Sequence, residues 1–373
     1  MSTLQRACTL KIETRFYQTD GLQLKCSLYD PSQHRERQGQ STRYLGTIAA
    51  MLSEFELIAR YFDRPQAPDG VVKLGVGDDC ALLAPPPGQT LAVSTDMLVE
   101  GRHFFAGADP EKLGHKALAV NLSDLAAMGA KPMAFTLALA MPSADESWLA
   151  GFTRGLFELA DAEGIRLIGG DTTRGSLNLC ITIMGSVPED QALRRDAAKN
   201  GDDLWVSGTL GDARLALEVL QGKNTLPEHL MAMAEERLHR PTPRCALGMA
   251  LRGIAHAAID VSDGLLGDLG HILAGSQLGA EIHAASLPAG AALAQQPADR
   301  QTGYMLNGGD DYELCFTAPP EQRDAVLSAA ASANTLVTRI GSLKPGAGIQ
   351  IVDAAGRSVP FTSQSFDHFS KDI

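Results

Sequence analysis

From residue 90 to residue 187, apolar runs of strand length alternate with stretches of helical period, and few folds accommodate that order. TLAVST (90–95) leads to Asp96. A helix is predicted to start at Asp109-Pro110, a cap followed by proline at the first helical position, and to run to Gly129. MAFTLALAM (133–141) reads as a strand. A helix from Asp145 to about Glu163 then stops at Gly164. IRLIGG (165–170) runs into Asp171, and LNLCITIMGSV (177–187) is a further strand. The polar stretch EDQALRRDAAKNGD (189–202) looks like a domain junction. After it, DLWVSG (203–208) opens a second series, with helices near 211–222, 227–238 and 243–256 and signals to about residue 353. This pattern predicts an α/β (α+β) chain of two domains, 51–189 and 190–373, which its 373 residues allow. Residues 1–50 are polar and weakly periodic. They are expected to be a disordered arm, or the product of an upstream start codon with Met51 the true start. The pattern tightens in MLSEFELIARYF, where Leu52, Phe55, Ile58, Ala59 and Phe62 share a helical face and Ser53 can cap with Glu56.

Aspartates recur where these runs end: Asp78 and Asp79 in GVGDDC, Asp96 in VSTDM, Asp171 in IGGDTT, Asp260 and Asp263 in IDVSDG, Asp310 and Asp311 in NGGDDYE. Asp124 differs, because it falls inside the helix predicted from Asp109, one turn after Asn121 on the same face. Singly, each is an ordinary turn or cap. Together, at strand ends where α/β folds bind ligands, so many carboxylates call for cations. Aspartate oxygens beside glycines suit Mg²⁺ together with a phosphorylated ligand. The calcium-loop alternative fails, since Leu265 and His271 stand where a loop beginning at Asp260 needs glycine and glutamate. Neither a Gly-x-x-x-x-Gly-Lys phosphate loop nor the protein-kinase signatures occur. A net charge of −12 argues against nucleic acid or an anionic membrane as partner. The six cysteines are scattered without a Cys-x-x-Cys pair, which points to reduced thiols and the cytoplasm. Neither a membrane span nor a signal peptide is evident.

The motifs GVGDDCALL, STDMLVEGRHF, KALAVNLSDLAAMGA, IGGDTTRG, IDVSDGLLGDLGHI and NGGDDYELCFT, in this order, resemble those of the thiamine-monophosphate kinases. These belong to the ATP-binding superfamily of aminoimidazole ribonucleotide synthetase and selenophosphate synthetase. The resemblance covers about residues 51 to 370 and leaves the first 50 without a counterpart. It implies that ATP and thiamine monophosphate give ADP and thiamine diphosphate, on a two-domain fold that dimerises through its N-terminal domains and requires several Mg²⁺ ions. It also implies that Asp79, Ser94, Thr95, Asp96, Asp124, Asp171, Asp260 and Asp263 hold the ions or their waters, with Asp124 and Asp263 central to catalysis. By the same likeness Gly170, Asp171 and Ser262 lie near the nucleotide, Arg195 meets its phosphates, and His103, Asp310 and Phe366 border the thiamine phosphate. The chain departs from the family at Asp310, one methylene shorter than the usual glutamate, and at Phe366, where Tyr or Trp is common.

The chemistry agrees with this cast. The acceptor phosphate is largely anionic at neutral pH and needs no strong general base. Its difficulty is repulsion between two polyanions, which metal ions and positioning relieve. Among the remaining residues, Lys116 reads as a solvated surface lysine, with a phosphate partner as the alternative, Arg194 as surface, Cys80 and Cys315 as buried packing, and Met128, Met133 and Met141 as core. Two rival classes stand beside the kinase: a sister synthetase acting on a different acceptor, and a nucleotide or metal sensor without turnover.

Overall fold

The structure is a computed structural model that describes residues 53–64 and 70–361. The expectations for residues 1–50, for Met51 and for Phe366 therefore lie outside the described residues. The first described element shows the expected local chemistry. Helix α1 (Glu54–Tyr61) opens with a capping box, in which Ser53 Oγ accepts the Glu56 N–H at 3.3 Å and Glu56 Oε2 accepts the Ser53 N–H at 2.8 Å.

A short ribbon, β1 (Val72–Leu74) with β2 (Leu82–Leu83), precedes the first large sheet. That sheet contains β3 (Gln89–Val99), β4 (Lys131–Met141), β5 (Arg166–Arg174) and β6 (Asn178–Pro188) in the order β3-β6-β4-β5. Only β4 and β5 pair in parallel. Its helices are α2 (Pro110–Ala127) and α3 (Glu146–Glu163). Asp109 Oδ1 caps α2 through the Glu111 and Lys112 N–H groups at 2.8 and 3.2 Å, with Pro110 at the first helical position. Gly164 ends α3 in the left-handed conformation, as its place after the last apolar residue predicts.

A second sheet holds β7 (Asp203–Ser207), β8 (Ala257–Val261), β9 (Gly279–His283), β10 (Glu313–Ala318), β11 (Val337–Lys344) and β12 (Gly348–Val352), ordered β12-β9-β11-β7-β10-β8. Helices α4 (Asp212–Leu220), α5 (Glu228–His239), α6 (Cys245–Ala250), α7 (Leu265–Ser276), α8 (Ala298–Asn307) and α9 (Arg323–Ser332) accompany it. The mixture of parallel and antiparallel pairs makes the chain α/β in the broad, α+β sense. No helix among the described residues is long and apolar enough to cross a membrane.

Helix α2 is the pivot of this arrangement. Fourteen of its eighteen residues are buried, so it presents no solvated face. One side lies on the first sheet and the other meets α3, α6 and β8. Glycines let its backbone approach that of α3 closely, and Arg154 of α3 adds an ion pair to Glu111 at 2.6 Å. A Cβ on Gly155 would stand 1.8 Å from the Glu111 carbonyl oxygen, and one on Gly114 would stand 2.0 Å from that of Phe152.

Four sequence expectations need correction. Asp96 lies inside β3 and Asp171 inside β5, not at strand ends, because both strands keep pairing beyond these residues. The helix expected over 243–256 is only the six-residue α6. Lys116 is buried, because α2 has no solvated face. Cys80 is exposed in the turn after β1, whereas Cys315 is buried in β10.

Candidate active site

The side chains of α2 reach three other elements in turn. Asn121 Oδ1 accepts the Asp96 N–H at 3.2 Å and its Nδ2 donates to the Ala117 carbonyl, tying β3 to the helix. Ser94 Oγ donates to Asp124 Oδ2, a second tie between the same elements. Ser123 Oγ donates to Asp260 Oδ2 at 2.9 Å, joining α2 to β8. Lys116 Nζ donates to Asp310 Oδ1 at 2.7 Å, joining α2 to the loop before β10. The two acidic loops of the second sheet are zipped together: the Asp310 N–H donates to the Ser262 carbonyl and the Tyr312 N–H to that of Val261, each at 2.8 Å. Gly309 permits this approach, since a Cβ there would lie 2.5 Å from the Ser262 oxygen.

The result is an acidic cluster in which Asp260 is buried, Asp96 and Asp124 are half-buried and Asp263 is exposed. Burial, then the charges of Asp124 and Asp263, pushes the Asp96 carboxyl up to about 6. Burial and then Asp124 push Asp260 up to about 7, against the opposing bond from Ser123. Asp124 is itself raised by burial, with the Ser94 bond and the Arg195 charge acting the other way. The Tyr312 hydroxyl is raised by burial and then by the charges of Asp310, Asp96, Asp260 and Asp263. A cleft of about 460 Å³ opens beside Asp124 and Ser94, with Ala92, Leu125 and Ala258 on its apolar wall and Arg195 at its rim.

The other expected residues are distributed differently. Register puts Thr95 and Asp171 on the opposite face of the first sheet from Asp96, and Thr95 Oγ1 lies 2.9 Å from Thr182 Oγ1 there. Gly170 has φ +151°, and a Cβ would fall 1.9 Å from the Leu137 oxygen, so glycine there satisfies strand packing. Asp79 sits in an exposed turn and donates its N–H to Asp78 Oδ1 at 2.8 Å. His103 Nδ1 accepts the Val99 N–H at 2.9 Å, fixing the turn after β3. Arg194 is exposed and bonds Asp196, and the neighbouring Arg195 is also exposed. Among the described residues, no three acidic, histidine or cysteine side chains stand close enough to hold a metal ion by themselves.

Several participants were not singled out by sequence. Ser123 hides beside Asp124 in NLSDL. Asp268 Oδ2 collects the N–H groups of Ser262, Asp263 and Gly264 at 3.0 to 3.1 Å, and so shapes the loop that carries Asp263. Its only signal was an acid in the first turn of a helix. In NGGDDYE, Asp311 and Glu313 are structural. Asp311 accepts the Gly211 N–H, and the fully buried Glu313 is bound by Arg237, Arg244 and Ser207 at 2.6 to 2.7 Å.

The family description "AIR synthase related protein, N-terminal domain" matches residues 77–187, and its C-terminal counterpart matches 186–354. A thiamine-monophosphate kinase of Salmonella typhimurium is 48% identical over 320 residues, covering 85% of this chain and 98% of the relative. The crystal structure of thiamine-monophosphate kinase from Stenotrophomonas maltophilia K279a superposes with a TM-score of 0.72 at 50% identity, over 77% of this chain and 92% of that one. A third relative, AaThiL solved with AMPPCP and TMP, gives 0.67 at 29% identity, over 77% and 89%. With both halves of the family pattern matched in order and nearly the full length of the Salmonella relative aligned, the chain belongs to the thiamine-monophosphate kinase family.

Proposed function

We propose that this chain transfers the γ-phosphoryl group of ATP to the phosphate of thiamine monophosphate, giving thiamine diphosphate and ADP. Family membership supplies the reaction class, and the relative solved with AMPPCP and TMP holds a nucleotide analogue and TMP together. The observation within this chain that carries the reading is the convergence of Asp96, Asp124, Asp260 and Asp263 near the α2–β3–β8 junction, with two carboxyls raised to about 6 and about 7. Carboxylates that raise one another in this way favour a cation, and an all-oxygen donor set completed by water or phosphate oxygens suits Mg²⁺. These four, with the Ser94 hydroxyl, would hold the ions, which supply charge neutralisation between the two polyanions. Asp79, Thr95 and Asp171 stand apart from this group, Thr95 and Asp171 on the other face of the sheet, and are proposed to hold ions or waters other than those of the four. Arg195 is proposed to meet the nucleotide phosphates, with Gly170 and Ser262 beside them. His103, Asp310 and Phe366 are assigned to the acceptor. The acceptor phosphate, already largely ionised, attacks in line, so the chain's task is to position it and to exclude repulsion.

The proposed assembly is a homodimer formed through the first sheet. Leu91, Val93 and Met97 alternate along β3 on the face opposite α2 and are 42%, 57% and 54% exposed, a linear apolar patch on an edge strand. A cytoplasmic location is proposed from the scattered cysteines of the sequence.

The acceptor decides between this reading and its rivals. ADP release is to be followed with ATP and Mg²⁺ alone, with thiamine monophosphate, and with unphosphorylated thiamine. Release that needs the monophosphate is expected. Binding of ATP with no release under any condition would point to a sensor, and release only with a different phosphorylated acceptor to a sister synthetase.

A further inference from the structure

Lys116 is an unusual residue for the place it occupies. Its side chain is only 6% exposed, and its one hydrogen-bond partner among the described residues is Asp310. A buried ammonium carries three donors, and one carboxylate oxygen uses one of them. Burying a lysine with so few partners is unfavourable, which makes the position hard to explain as packing. The partner is also strained. Asp310 has φ +66° and Tyr312, two residues on, has φ +50°. Left-handed backbone is tolerated by aspartate but is a true outlier for tyrosine, and such strain concentrates where a loop must present a side chain.

The surroundings set the chemistry. Lys112 and His239 lie near Lys116, and His239 is held below its usual range by burial and then by the two lysine charges. Two lysines therefore stand at this end of α2 beside a neutral histidine, with Glu235 and Asp310 as the nearby acids, while Asp124 and Arg195 mark the other end. Lys116 and Asp124 are separated by eight residues in the sequence, or about 12 Å along the helix axis. A phosphoryl transfer between two anions needs a counter-charge at each end of the reacting line, and Arg195 at the cleft rim serves only one of them.

We propose that Lys116 is the residue that recognises the phosphate of the acceptor, with Asp310 occupying one of its donors and the remaining donors facing the phosphate oxygens. This deepens the proposed function and rests on it. It assigns the choice of thiamine monophosphate over thiamine to a buried cation on α2. A lysine that merely joined the two halves of the molecule would affect every ligand alike.

The test compares affinities, so it does not depend on turnover. Dissociation constants for thiamine monophosphate and for thiamine are to be measured by calorimetry with Mg²⁺, for the wild-type chain and for Lys116→Met, which keeps the side-chain volume. The expected result is a loss of about 10-fold or more in affinity for the monophosphate, with thiamine changed less than about 2-fold. An unchanged ratio of the two affinities in a folded variant would overturn the inference. Where Lys116→Met does not fold, Lys116→Arg decides. It keeps the charge but moves the donors, so a ratio shifted by about 3-fold or more supports the inference and an unaltered ratio overturns it. A wild-type chain that binds no thiamine monophosphate would overturn the proposed function and this inference together. A wild-type chain that binds and phosphorylates it, with Lys116 indifferent, would overturn only the inference.

Discussion

Burial beside other carboxylates pushes Asp96 up to about 6 and Asp260 up to about 7, so their charge state couples to stability. Both stand above the ordinary carboxyl value. The folded state therefore holds protons that the unfolded state releases, and their contribution to stability is lost as pH rises from about 4 through 7. Magnesium competes with those protons. Without nucleotide, Mg²⁺ should raise the melting temperature more at pH 8 than at pH 5.5, by about 2 °C or more in difference, as read by scanning calorimetry. An equal shift at both values would mean that no cation enters the cluster. Much of this residue-level chemistry was legible in sequence, because spacing and neighbours are local: the Ser53–Glu56 box, the Asp109-Pro110 cap and the Gly164 stop all took the form their sequence dictates. The burial of Lys116 and its pairing with Asp310 were not legible, since they depend on a residue 194 positions away.

At the scale of elements, α2 carries the account, and the glycines that let it sink between its neighbours matter as much as its acids. Gly155→Ala would thrust a methyl group to 1.8 Å from the Glu111 carbonyl oxygen, which no side-chain rotation can relieve. The expected effect is a destabilisation of about 1–3 kcal/mol, measured by urea unfolding. Activity should fall beyond what the lost stability explains, because Asn121, Ser123 and Asp124 move with the helix. Strand extents were the weakest part of the sequence reading. TLAVST and IRLIGG stop at small residues and an aspartate, a local signal for a turn, yet β3 pairs with β6 along eleven residues and β5 runs on to Arg174 beside β4. Ladder partners distant in sequence overrode the local signal. For that reason aspartates expected to converge at strand ends fall on two faces of the sheet.

For the whole molecule, two sheets and one shared helix bring distant acidic motifs together, and the exposed β3 face is where the proposed second copy would pack. Val93→Glu should convert a dimer to a monomer in light scattering coupled to size exclusion, because it places a charge in the centre of the apolar patch. A wild-type chain that elutes as a monomer would contradict the dimer. The central claim is that the cluster around α2 is where phosphoryl transfer occurs. It is tested most directly by measuring thiamine diphosphate formed from ATP and thiamine monophosphate at saturating Mg²⁺, for the wild-type chain and for Asp124→Asn side by side. Asparagine still accepts the Ser94 hydroxyl and removes one repelling charge, so the variant should melt no lower than wild type. Mg²⁺-dependent product is expected from the wild-type chain, with a rate reduced about 100-fold or more in the variant. Near-normal turnover by a folded Asp124→Asn chain would contradict this claim.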